Sequence, residues 1–123
     1  MMEMDLRINK KTTEGIPVIQ LSGEVDAYTC SMLRDVMVEI FEQGNPNVVI
    51  SMADVEYIDS SGLGTLVGGL KRASEQSGRI AVVANSVQIR KVFEITGLEK
   101  VFPLFDTEHE AACALLERVA MPH

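Results

Sequence analysis

Two adjacent serines, Ser60 and Ser61, form the segment of this chain with the clearest potential for chemistry. They follow Asp59 and precede apolar residues at helical spacing, so Asp59 or Ser60 is expected to cap a helix that begins here. The first turn of a helix has backbone N–H groups without intrahelical partners and carries a partial positive charge. A phosphate on either hydroxyl would be tolerated there, and the segment is predicted to be a phosphorylation switch.

The alternative is that the serines only cap a helix, as most Asp-Ser pairs in this position do. Two small neighbours weaken this alternative, because Gly62 and Gly64 leave the same turn nearly free of side chains. Each glycine costs a helix interior about 1 kcal/mol relative to alanine, and less near an end. Helix stability therefore does not explain the glycines, whereas access for a partner's active site, or close packing against a strand, would.

The sequence offers these serines no catalytic or metal-binding companion. Cys30 and Cys113 are far apart and lack a Cys-x-x-Cys pattern, so both are expected to be buried apolar residues. A serine hydrolase is disfavoured because Gly-x-Ser-x-Gly is absent, and neither His109, in a predicted helix, nor His123, the last residue, suits a general base. We predict no enzymatic activity, no catalytic residue, no metal and no cofactor.

The composition is typical of one compact domain, with 46% hydrophobic and 24% charged residues in a chain of 123. No apolar run approaches the roughly 18 residues of a membrane-spanning helix. Residues 1–11 lack the apolar core of a secretory signal, so a cytoplasmic protein without a membrane partner is expected. The formal net charge of -7 argues against nucleic-acid binding and favours a basic protein partner.

The elements that position the serines follow from the apolar periodicity. The predicted strands cover 5–10, 16–22, 47–52, 79–84 and 101–105, and the predicted helices cover 29–43, 61–77, a segment from Ser86 to Gly97, and a segment from Thr107. Residues 53–58 are expected to form a loop before the serines, with Val55, Tyr57 and Ile58 packed beneath it. This order predicts a hairpin followed by right-handed crossovers, in a mixed sheet covered by helices.

Two details of the predicted packing concern the end of the chain. Thr107 and Glu110 match the Thr-x-x-Glu capping box at the start of the last helix. The buried face of that helix is predicted to consist of Ala112, Leu115, Leu116 and Val119. The phenylalanines assigned to the core are Phe93, Phe102 and Phe105.

Three segments of the chain also resemble a known family. They are Gly-Glu-Val-Asp at 23–26, Tyr-Ile-Asp-Ser-Ser-Gly-Leu-Gly at 57–64, and the tail from Gly-Leu at 97–98 to Phe-Asp at 105–106. With these segments the chain resembles the STAS domain, specifically the small bacterial anti-sigma factor antagonists, over nearly its whole length. The resemblance implies a single STAS domain over residues 1–123, with a mixed β-sheet of four to five strands flanked by about four helices.

The resemblance also implies a function. In such antagonists the first serine after the aspartate is phosphorylated by the anti-sigma factor, which is a serine kinase, and in this chain that serine is Ser60, with Ser61 as the alternative. The unmodified form binds the kinase and frees the sigma factor; phosphorylation reverses this, and a serine/threonine phosphatase resets the protein. The partner-binding residues expected from the resemblance are Asp26, Asp59, Ser60, Ser61, Gly62 and Leu63.

The main alternative within this family is a STAS domain that acts as a scaffold or as a subunit of a transporter or signalling complex. In that case the serine is only a cap, and replacing Ser60 with alanine leaves regulation unchanged. In a phosphoswitch, by contrast, the phosphate would add about two negative charges beside Asp59, and near Asp26 or Glu24 if the loops converge. Repulsion at the partner surface would follow.

Overall fold

The computed structural model of this chain describes residues 5–120, with side chains described through residue 117. Five strands form one mixed sheet, and four α-helices pack on its faces. In chain order the elements are β1 (Leu6–Thr13), β2 (Ile16–Val25), α1 (Cys30–Glu42), β3 (Val48–Ile58), α2 (Ser60–Glu75), β4 (Ile80–Val83), α3 (Val87–Thr96), a short 3₁₀ turn (Leu98–Lys100), β5 (Leu104–Phe105) and α4 (Glu108–Ala120). The predicted fold class is confirmed.

The strands lie in the sheet in the same order as in the chain. β1 and β2 form the predicted hairpin, and their connection is a two-residue turn in which Glu14 and Gly15 have positive φ angles of 54° and 79°. Both strands are longer than predicted. The other neighbouring pairs are parallel, so each pair needs a crossover, which α1, α2 and α3 provide.

β3 differs most from its predicted extent, because it includes residues 53–58, which were expected to form a loop. That prediction is wrong. Opposite the β2 segment Gln20–Ser22, the register of β3 advances from Ser51 to Asp54, so β3 holds an extra residue, and a second shift follows after Gly23. Each bulge interrupts the alternation of side chains between the two faces, which removes the period-2 pattern of a strand.

The side chains of this bulged half of β3 divide between core and surface. Val55 and Ile58 are buried, as predicted, but Tyr57 is 49% exposed, so the prediction that it is packed away is wrong. Tyr57 lies opposite Glu24 at the end of the β2–β3 ladder, after the second register shift.

Two apolar clusters lie on the two faces of the sheet. The larger lies between the sheet and helices α1, α2 and α3, and the smaller lies beneath α4. Consecutive residues of β3 alternate between them, with Val48 and Ile50 in the larger cluster and Val49 in the smaller, so this strand is buried on both faces as predicted. Phe93 and Phe102 pack edge to face in the larger cluster, whereas Phe105 is partly buried against the smaller.

Most helix ends agree with the sequence prediction. α1 is followed by Gly44 with a φ of 89°, and α3 is capped by Ser86 and ends at Gly97 with a φ of 77°. After α2, which was predicted to stop at Gly78, the left-handed residue is Ser77, with a φ of 64°. Gly78 lies beside Pro46, and a Cβ at Gly78 would lie 2.1 Å from the Pro46 carbonyl oxygen, so close packing is what requires this glycine.

The end of the chain departs from the predicted capping and burial. Thr107 Oγ1 accepts a hydrogen bond from the Glu110 N–H at 3.1 Å, but the Glu110 carboxylate accepts from the N–H of Asp106 and not of Thr107, so only half of the predicted capping box forms.

On the buried face predicted for the last helix, Ala112 and Leu115 are buried, whereas Leu116 is 36% exposed and was wrongly assigned. The Val119 side chain lies outside the described residues. β5 is only two residues long, and Pro103, which has no N–H to donate to the ladder, directly precedes it.

Candidate phosphorylation site and partner surface

The ends of β2 and β3 bring two loops together at one edge of the sheet. Val25 lies opposite Ile58 in the parallel ladder, and the Asp59 N–H donates to the Val25 carbonyl at 3.1 Å. Asp26 and Asp59, each one residue beyond its strand, are therefore neighbours. Helices α1 and α2 both begin at this edge, which confirms that the two loops converge.

Asp59, and not Ser60, is the cap of α2. Its Oδ1 accepts from the N–H of Gly62 at 3.1 Å, and its carbonyl accepts from the N–H of Leu63 at 2.9 Å. Ser60 is the first helical residue, and the first turn of α2 contains no acidic side chain. The positive end of this helix is thus next to a hydroxyl and a single capping carboxylate.

The first turn of α2 is pressed against the two strand ends. A Cβ at Gly62 would lie 2.7 Å from Val25 Cγ1 and 2.8 Å from Ile58 Cγ1, so a side chain at this position cannot be accommodated without displacement. A Cβ at Gly64 would meet nothing within 4 Å. Of the two explanations that the sequence left open, close packing therefore explains Gly62, whereas no contact within 4 Å requires a glycine at position 64.

The two serines differ in accessibility. Ser60 is exposed, whereas Ser61 is half-buried, and the Ser61 carbonyl accepts a hydrogen bond from the Thr65 hydroxyl at 3.0 Å. Gly62 is buried, and Leu63 packs partly against the larger core cluster. Ser60 is therefore the more accessible of the two serines.

Asp26 is held in the turn between β2 and α1. Its Oδ1 accepts from the N–H groups of Tyr28 at 2.9 Å and Thr29 at 3.1 Å. The buried Thr29 hydroxyl accepts from the Asp26 N–H at 3.0 Å and lies 2.9 Å from the Glu24 carbonyl oxygen. These contacts fix the turn, while the side chain of Tyr28 is almost fully exposed beside it.

A groove of about 350 Å³ lies between α1 and α2 and was not predicted from the sequence. Its lining residues are Arg34, Met37, Val38 and Phe41 of α1, and Ser60, Ser61, Gly64, Thr65, Gly68, Gly69 and Arg72 of α2. The lining contains two arginines and no Asp or Glu. A signal was present in the sequence, since Ser60, Gly64, Gly68 and Arg72 are spaced by four residues and therefore follow one face of a helix.

Glu108, at the start of α4, is a titratable group with a shifted pKa and lies away from the serines. Its carboxylate accepts from Gln20 Nε2 at 2.6 Å and from Lys11 Nζ at 3.1 Å. Burial raises the pKa of Glu108, but these two hydrogen bonds, the charge of Lys11 and a hydrogen bond from Ser51 outweigh it, so the pKa lies below its ordinary value. This network attaches α4 to the sheet.

The other candidate groups named from the sequence are the two cysteines and the two histidines. Cys30 and Cys113 are both free and half-buried, so the expectation of full burial is wrong for each. Cys113 Sγ lies 3.6 Å from His109 Nε2 on the exposed side of α4, and His123 lies outside the described residues. Among the described residues, no three His, Cys, Asp or Glu side chains are grouped to hold a metal, and no helix is long and apolar enough to cross a membrane.

Comparison with known proteins identifies the family to which this chain belongs. The family model of the STAS domain matches residues 7–111, a range that includes the edge formed by β2, β3, α1 and α2. The chain belongs to the STAS domain family.

Relatives of this STAS protein include named regulators. A Paenibacillus polymyxa protein named anti-sigma F factor antagonist is 31% identical over 113 residues, which cover 91% of this chain and 97% of that relative. An anti-sigma-B factor antagonist of Bacillus subtilis is 33% identical over 101 residues, covering 82% of this chain and 92% of the relative.

Among solved structures, an anti-sigma factor antagonist from Mycobacterium paratuberculosis superimposes with a TM-score of 0.82 at 28% identity, over 91% of this chain and 95% of that one. The Bacillus protein SpoIIAA, described as a cell fate determinant and solved in its phosphorylated form, superimposes with a TM-score of 0.68 at 27% identity, over 92% of this chain and 99% of that one.

Proposed function

We propose that this STAS protein is an anti-sigma factor antagonist controlled by phosphorylation of Ser60. In its unmodified form it binds an anti-sigma factor that is also a serine kinase, and the bound sigma factor is released. Transfer of phosphate to Ser60 ends this binding, and a serine/threonine phosphatase restores it. The protein acts in the cytoplasm as a regulator without enzymatic activity, and residues 1–123 form a single STAS domain.

The observation that carries this proposal is the exposure of Ser60 at the first position of α2, directly after the capping Asp59. The neighbouring Ser61 is half-buried, which favours Ser60 as the phosphate acceptor. Support also comes from relatives that are named anti-sigma factor antagonists and from the similarity to SpoIIAA, which has been solved in a phosphorylated form.

The partner surface in this proposal is the sheet edge around Ser60, including Asp26, Asp59 and Ser61. Tyr28 is exposed in the loop of Asp26, and interfaces are enriched in such aromatic residues. Gly62 and Leu63 contribute by fixing the helix start rather than by offering accessible side chains, because Gly62 is buried and Leu63 packs on the core.

Phosphorylation would weaken binding through charge at this edge. A phosphoserine carries about -1.5 to -2 charge at neutral pH, and Asp59 and Asp26 already lie beside the site. One unit-charge pair at 4 Å is worth about 4 kcal/mol at an effective dielectric constant near 20, and each 1.4 kcal/mol changes affinity about tenfold. If acidic groups of the partner meet this edge, even a strongly screened fraction of such repulsion would weaken the complex. The fold would remain intact, because the helix start stabilises a phosphate.

The proposal is tested by incubating the protein with its cognate anti-sigma kinase and ATP and then mapping the phosphopeptide. We expect the label on Ser60, loss of labelling in Ser60→Ala, and full labelling in the matched control Ser61→Ala. Label on Ser61, or no label, would refute the assignment of the acceptor. In the scaffold alternative, Ser60→Ala would leave regulation unchanged.

A further inference from the structure

The groove between α1 and α2 is lined by an arginine, Arg34, that has no ionic partner in the described part of the chain. Arg34 lies in the second turn of α1 and lines the same groove as Ser60. Among the residues that the structure describes, its guanidinium has no hydrogen-bond or ion-pair partner. The guanidinium is thus free to bind an anion that enters the groove.

The architecture directs this arginine towards the serine. α1 and α2 follow neighbouring parallel strands and begin at the same edge of the sheet. They pack closely, since a Cβ at Gly69 would lie 2.6 Å from Met37 Sδ. Side chains of a helix lean towards its N-terminus, and Arg34 precedes Met37 by one turn, so it leans towards the edge at which Ser60 lies.

The local charge of the groove is opposite to that of the whole chain. The net charge is -7, yet the charged residues that line the groove are Arg34 and Arg72. A guanidinium binds a phosphate through two parallel N–H donors, which makes arginine the preferred residue for this contact. Asp59 is the acidic residue closest to Ser60 in sequence, and its Oδ1 already accepts a hydrogen bond from the Gly62 N–H.

We propose that Arg34 binds the phosphate of phosphorylated Ser60. The inference rests on the proposed function, because it takes Ser60 as the modified residue. Phosphorylation then has two consequences at the partner surface: it adds negative charge, and it removes the free guanidinium that the unmodified protein presents.

Arg72 provides a matched control at the other end of the groove. It is the same residue type, lines the same groove and, like Arg34, has no hydrogen-bond or ion-pair partner among the described residues. It lies twelve residues after Ser60, which is about 18 Å along the axis of α2. The electrostatic effect of Arg72 on the phosphate is therefore expected to be screened by salt. The helix start acts on the phosphate equally whether Arg34 or Arg72 is replaced.

The experiment uses the full chain with phosphoserine incorporated at position 60 during translation, and it measures the second pKa of the phosphate by ³¹P NMR. In the otherwise unchanged protein we expect this pKa below that of free phosphoserine, which is about 6. Arg34→Gln should raise it by about half a unit or more, Arg34→Lys should restore part of the shift, and Arg72→Gln should change it by at most about 0.1 unit.

An unchanged pKa in Arg34→Gln, or equal shifts in the two glutamine variants, would overturn the proposal. Circular dichroism spectra of all variants establish that each is folded, and the lysine variant gives a second reading if the glutamine variant is unstable. Because the phosphate is installed without a kinase, a negative result here is distinct from a failure of the proposed function, which the labelling of the unmodified protein tests separately.

Discussion

Helices α2 and α4 both begin after a parallel strand and both have a side-chain cap, but their first turns differ in charge. In α2 the Asp59 carboxylate caps the Gly62 N–H, and no acidic residue follows in the first turn. In α4 the Thr107 hydroxyl is the cap, and the first turn contains Glu108 and Glu110. The helix dipole is therefore already compensated in α4 and much less so in α2.

The carboxylates at the start of α4 are hydrogen-bonded within the fold. Glu108 accepts hydrogen bonds from Gln20 and Lys11, and Glu110 accepts one from the N–H of Asp106, so the start of α4 is tied to the sheet and to its own loop. The start of α2 instead presents an exposed Ser60. The start of α4 is therefore fully bonded within the fold, whereas the start of α2 can accept negative charge from a modification or a ligand.

The largest expected effect comes from giving α2 the charge that α4 already has. Ser60→Asp should weaken binding to the anti-sigma partner about 100-fold, roughly 2.7 kcal/mol, because the new carboxylate lies at the partner surface beside Asp59 and Asp26. Isothermal titration calorimetry measures the dissociation constant. Ser74→Asp, an exposed position near the other end of α2, is the control and should bind normally. Equal affinities of the Ser60→Asp variant and the unchanged protein would count against the charge mechanism.

The next effect tests how tightly the start of α2 is packed. Gly62→Ala should lower the free energy of unfolding by about 2 kcal/mol, because its Cβ would overlap Val25 and Ile58. Gly64→Ala, two residues along the same helix, has open space and should be neutral or stabilising by up to about 1 kcal/mol. Urea unfolding measures both. Similar values for the two alanine variants would show that close packing does not select Gly62.

A smaller effect is expected at the start of α4. Glu108→Gln should lower the free energy of unfolding by about 1 kcal/mol at neutral pH, since hydrogen bonds to a charged, partly buried group are lost. Glu39→Gln is the matched control, because its ion pair with Lys10 joins side chains that are 54% and 52% exposed and should contribute less than about 0.5 kcal/mol. If both variants lose the same stability, the network around Glu108 has no special importance.

The same glutamate predicts the direction of a pH dependence. The pKa of Glu108 is lower in the folded protein than its ordinary value, so the charged form stabilises the fold above the unfolded pKa of about 4.3. This contribution is lost as the pH falls through the folded pKa. Thermal unfolding of Glu108→Gln and of the unchanged protein measures this. The unchanged protein should have the higher melting temperature at pH 7, and the difference should shrink at pH 3.

Periodicity predicted the elements of the fold wherever one regular pattern extends through an element. The spacing of apolar residues placed α1 within one residue of its observed ends, and the hairpin, α3 and the crossovers were also predicted. The pattern failed for residues 53–58, because two bulges in β3 shift the alternation of side chains between the faces. It failed again for Leu116, where helical spacing identifies a face but does not show how far the sheet beneath it extends.

By itself the sequence determined that a helix begins at the Asp-Ser-Ser segment, the glycine-rich start of α2 and the position of the candidate serine, since capping and helix propensity act within a few residues of the chain. Only the tertiary structure decided which serine is exposed, why Gly62 has no side chain and that Arg34 shares a groove with Ser60. These properties depend on contacts between β2, β3, α1 and α2, whose residues are far apart in sequence, and no local pattern specifies the distances between them.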